Sequence, residues 1–114
     1  MTNKQILQKA NQAVSNGDNE GFLAWCTNDT VWNFIGDVTL RGKEQVRQWM
    51  AEHYLEPPIN NVTNLLADGN FVIATGTITV KDKDGKATVS AYADVWRFEG
   101  NKMAEVNAYV VEVK

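Results

Sequence analysis

The stretch Ala87-Thr88-Val89-Ser90-Ala91-Tyr92-Ala93-Asp94-Val95-Trp96-Arg97-Phe98-Glu99 decides how this chain folds. It is rich in β-branched and aromatic residues, and turn signals bound it: Asp82-Lys83-Asp84-Gly85 before and Gly100-Asn101 after. Two segments of the same kind precede it, 59–67 and 71–81, separated by Asp68-Gly69-Asn70, and a fourth at 102–113 closes the chain. All four exceed the usual strand of about five or six residues. Long antiparallel strands twist and curl, so the pattern predicts a bent sheet rather than a flat one.

Upstream of Pro57-Pro58 the apolar period changes from two to that of a helix. Thr2 and Gln5 form a capping-box pattern ahead of Ile6, Leu7, Ala10 and Val14. Asn16-Gly17 supplies a stop, and Asp18 caps a second, short helix bearing Phe22, Leu23, Trp25 and Cys26. A first strand is expected at 31–35. A third helix at 43–54 carries Val46, Trp49, Met50 and His53 as one stripe. The expected fold class is α+β: three N-terminal helices packed on a strongly curved, mostly antiparallel sheet, in one domain over residues 1–114.

Composition removes several function classes. Lys and Arg number 11 against 14 Asp and Glu, a net charge of −3, which makes a poor partner for nucleic acid or an anionic membrane surface. No apolar run approaches the roughly 18–20 residues of a membrane span. Met1-Thr2-Asn3-Lys4-Gln5 lacks the apolar core of a signal peptide, so the expected location is the cytoplasm. Cys26 and His53 are each alone, so neither a disulfide nor a conventional metal site is expected, and no cofactor motif is present.

Three patches carry a resemblance: Asn28-Asp29-Thr30-Val31-Trp32-Asn33, Arg41-Gly42-Lys43-Glu44-Gln45-Val46, and Ala93-Asp94-Val95-Trp96-Arg97-Phe98-Glu99-Gly100. With the order of elements, they make the chain resemble the nuclear-transport-factor-2-like superfamily, in its SnoaL-like and ketosteroid-isomerase-like branch. The resemblance implies a conical cavity between helices and sheet, and pairing of two copies through the outer sheet face. In the isomerase mechanism it also implies an aspartate base on the first strand, a tyrosine from the first helix and a protonated aspartate on the penultimate strand. These positions fall on Asn33, near Ala10, and on Asp94. Two of the three groups are missing, so steroid isomerisation by that mechanism is not expected.

Period-two alternation then drafts the cavity. With Asp94 inward, Tyr92 and Trp96 share its face, as do Val106, Ala108 and Val110 on the last strand. The register implied by the resemblance adds Val72, Ala74, Gly76 and Ile78, with Gly76 leaving room, and Asn33 beside Val31. Trp49, Met50 and His53 approach from the third helix. Asp94 and His53 are the candidate proton-transfer residues. Asn33, Tyr92, Trp96, Met50, Trp49, Val31, Gly76 and Ala108 are the candidate ligand contacts. A carboxyl group in such surroundings loses hydration, which raises its pKa and suits it to donate a hydrogen bond or act as a weak base. Two functions fit: acid–base isomerase or cyclase chemistry on an apolar, carbonyl-bearing molecule, or a non-catalytic ligand-binding or dimeric interaction module. The apolar outer residues Ala91, Ala93, Val95, Tyr109 and Val111 predict a homodimer.

Overall fold

Helix α1, Asn3–Ser15, starts where the sequence says it should. Thr2 Oγ1 accepts from the Gln5 amide at 3.2 Å, and Gln5 Oε1 accepts from the Thr2 amide at 2.9 Å, so two amides left over at the helix start are satisfied. Its buried face is Ile6, Leu7, Ala10 and Val14. The chain leaves through Gly17 at φ +80°, a left-handed conformation that costs a glycine little. Asp18 Oδ1 then accepts from the Gly21 amide at 2.9 Å and caps α2, Asn19–Leu23.

The computed structural model describes residues 1–114. After α2 come β1 (Cys26–Phe34), β2 (Thr39–Arg41), α3 (Lys43–His53), β3 (Ile59–Asp68), β4 (Phe71–Lys81), β5 (Ala87–Glu99) and β6 (Lys102–Glu112). The three helices therefore do not all precede the sheet, because β1 and β2 intervene before α3. β1 begins five residues before its expected start, and β2 has no counterpart in the expectation. The six strands form one sheet in the order β2-β1-β6-β5-β4-β3. Every pairing is antiparallel except β1 with β6. That parallel pair needs a long crossover, and the whole of α3 and the β3–β5 meander supplies it.

The core lies between the helices and one face of the sheet. Ile6, Leu7, Val46, Met50, Val72, Phe98 and Met103 are all buried to within 1% of complete. No helix is long and apolar enough to cross a membrane.

Candidate functional site

Cross-strand register places the inner-face residues in rows. One row runs Val72–Trp96–Val106–Trp32 from β4 through β5 and β6 to β1. The next runs Ala74–Asp94–Ala108–Phe34, so Asp94 stands between two alanines. Such small neighbours leave space above the carboxyl group. A cavity of about 450 Å³ opens there, within the range of small-molecule sites. Its walls draw on all three helices and on β1, β3, β4, β5 and β6.

The walls are largely aromatic. Trp32 meets Phe22 edge-on at 5.6 Å between centroids, Trp49 at 5.9 Å and Trp96 at 6.1 Å. Trp49 in turn stacks on Phe34 at 5.0 Å. Edge-to-face contacts of this kind hold rings in fixed orientations.

Asp94 is the one carboxyl group set among these rings on the sheet floor. Its Oδ1 is buried and has no hydrogen-bond partner within the chain. Burial pushes its pKa up to about 7, because the ionised form loses hydration and gains no compensating donor. Two phenols lie within its electrostatic reach. Burial pushes Tyr92 up to about 12, with the Asp94 charge adding to the rise and a hydrogen bond to Asn60 opposing it. Tyr54 is raised further, again by burial first and then by the charge of Asp94. At neutral pH both phenols keep their protons, while Asp94 is poised to hold or release one.

Several expected contacts fall elsewhere. Asn33 and Val31 do not face the cavity, because β1 pairs with β6 so that Trp32 lies opposite Val106 and Phe34 opposite Ala108. Those partners face inward, so period two turns Asn33 and Val31 to the other side of the sheet. There the Asn33 amide donates to Asn107 Oδ1 at 3.2 Å and accepts from Thr39 Oγ1 at 2.9 Å. The cavity-lining positions of β1 are thus held by indole and phenyl, with no titratable group. Gly76 leaves no room either. β3 carries a bulge between Val62 and Asn64, and a Cβ at Gly76 would collide with the carbonyl oxygen of Asn61. Gly76 permits a close backbone approach instead of opening the cavity.

Met50, Trp49, Trp96, Tyr92 and Ala108 all line the cavity, as does His53. His53 is exposed, however, and stacks on Trp49 with centroids 4.3 Å apart. Its Nδ1 donates to the Trp49 carbonyl at 2.9 Å, so only Nε2 is free at the solvent side. The Tyr92 hydroxyl donates to Asn60 Oδ1 at 2.5 Å, which leaves Asp94 without that partner.

Tyr54, Asn60, Trp32 and Phe34 are among the lining residues that periodicity did not single out. Tyr54 follows Val46 and Met50 at intervals of four, a spacing that does point it inward. Asn60 could be found only through its pairing with Ile78 across the β3–β4 ladder.

Solved structures share this architecture. A nuclear-transport-factor-2-like protein of unknown function from Burkholderia pseudomallei K96243 superposes with a TM-score of 0.83 at 20% identity, over 97% of this chain and 92% of that one. A protein from Pseudomonas putida KT2440, provisionally named a polyketide cyclase, gives 0.78 at 20% identity, over 96% and 91%. TerC, crystallised with polyporic acid, gives 0.80 at 15% identity, over 96% and 91%. No curated protein sequence matches the chain. The SnoaL-like domain model matches residues 7–106, from the buried face of α1 to the cavity side of β6, and the chain belongs to the SnoaL-like domain family.

Proposed function

We propose that the cavity binds an uncharged, mainly apolar small molecule bearing a carbonyl oxygen, and that Asp94 performs acid–base chemistry on it of the isomerase or cyclase type. The observation that carries this reading is a buried carboxyl oxygen with no partner, set among aromatic rings above two flanking alanines. A structural anchor would be bonded to its surroundings, since a buried polar atom left unpaired costs stability. A pKa near 7 lets Asp94 donate a hydrogen bond to a carbonyl oxygen when protonated, and accept a proton when ionised. The Tyr54 phenol, kept neutral by burial, is a second donor near the same carbonyl. The naming of a structural neighbour as a polyketide cyclase agrees with this class of ligand.

A second reading has one observation in its favour. Trp32 and Phe34 fill the inward positions of β1, where the isomerase mechanism needs a carboxylate base. The same cavity would then hold its ligand without turning it over. A panel of bicyclic enones separates the two, by ultraviolet absorbance for turnover and by thermal shift for binding. Turnover that disappears in Asp94→Asn supports the enzyme. A shift without turnover supports the binding module, and neither response overturns both.

The outer face of the sheet suits a second copy of the chain. Ile73, Val89, Tyr109 and Val111 are exposed there, next to Ala91 and Ala93. An apolar face of this kind is normally covered.

A further inference from the structure

Trp32 is 6% exposed, lines the cavity, and its Nε1–H has no hydrogen-bond partner within the chain. A buried indole N–H usually finds an acceptor. Four rings pack around this indole, and each leaves the N–H unsatisfied because none offers an oxygen. Trp32 belongs to the row next to that of Asp94 and lies two strands away from it across β6, so rows about 7 Å apart and strands about 4.8 Å apart separate the two backbone positions by roughly 12 Å. Two residues lining the cavity, on strands separated by β6, therefore each carry a buried polar atom without a partner.

Charge supplies an independent observation. Asp37, Asp94 and Glu112 all line the cavity, and no Lys or Arg does. An anionic ligand would enter against carboxylates without a fixed cation to offset its lost hydration.

We infer that Trp32 is a second ligand-binding donor, and that the cavity selects a flat, uncharged molecule with two oxygens, one for Asp94 and one for the Trp32 Nε1–H. The inference rests on the reading of Asp94 given above and adds the second contact and the rejection of anions.

Calorimetric titration with 1-tetralone, 4-hydroxy-1-tetralone and 1-naphthoate tests it. The hydroxyl should tighten binding by about three- to tenfold, the worth of one net hydrogen bond. Trp32→Phe removes the N–H together with the pyrrole half of the indole, so the hydroxyl advantage, read as the ratio of 4-hydroxy-1-tetralone to 1-tetralone affinity within each protein, should disappear in the variant. 1-Naphthoate should not bind. Should Trp32→Phe not fold, ¹⁵N spectra of the wild type serve instead: one indole resonance should move downfield with 4-hydroxy-1-tetralone and stay in place with 1-tetralone. An undiminished hydroxyl advantage in Trp32→Phe, a static indole resonance, or naphthoate binding as tight as the ketones overturns the inference. If neither tetralone binds, the underlying reading of the cavity falls as well.

Discussion

Replacing Asp94 with asparagine should stabilise the protein above neutral pH. The side chain keeps its size, while the group that must ionise inside the aromatic cavity is gone. Burial raises the Asp94 pKa from 3.8 to about 7. A folded pKa above the unfolded one means that the native state binds the proton more tightly. The stability due to that proton is complete below about pH 4 and is lost as pH rises through 7. Each tenfold change in ionisation constant is worth about 1.4 kcal/mol, so the whole difference approaches about 4 kcal/mol. Water drawn into the cavity beside the carboxylate reduces this, and about 2–4 kcal/mol is the expected span. Tyr92 on the same strand and Tyr54, just after α3, interact with Asp94, but both stay neutral through the window because their pKa values are raised. His53, Asp37 and Glu112 also line the cavity, and subtraction of the variant from the wild type cancels their direct contributions. Urea unfolding of both proteins from pH 4.5 to 9 measures the difference. It should grow with pH at up to about 1.4 kcal/mol per pH unit and level off above about 7.5. A flat difference, or a carboxyl resonance titrating near 4, would refute the claim that this acid is buried without a partner.

Gly76→Ala should cost more than about 2 kcal/mol, because the new Cβ meets the Asn61 backbone and not a movable side chain. A melting temperature unchanged within a degree would contradict that. Ala108→Leu adds bulk beside Asp94 in the adjacent strand. It should weaken 1-tetralone binding at least about tenfold while circular dichroism stays native, since a leucine side chain occupies volume that the ligand needs. Val95→Lys places a charge in the middle of the apolar outer face. If that face joins two copies, sedimentation should show dimer for the wild type and monomer for the variant, whereas a monomeric wild type at micromolar concentration ends the proposal.

Local pattern determined a large part of this molecule. The capping pair at Thr2 and Gln5, the Gly17 exit and the alternation of β5 and β6 act between residues close in the chain, so the helix start and the sharing of one face by Tyr92, Asp94 and Trp96 could be read directly. Other features depend on contacts distant in sequence. The side of the sheet on which Asn33 lies is fixed by the parallel pairing of β1 with β6, more than seventy residues away, as the Asn33–Asn107 bond shows. A shift of one residue in that register exchanges Trp32 and Phe34 for Val31 and Asn33, and both alternatives carry apolar residues, so alternation alone could not choose. The tightness at Gly76 comes from a bulge in the neighbouring strand. The Tyr92 hydroxyl, on the same face as Asp94, is taken up by Asn60 on β3. The sequence by itself determined which side chains are chemically able to act. Tertiary structure decided which of them share a cavity and which have their hydrogen bonds already filled, because cross-strand register and close backbone approach are set by partners that no local period encodes.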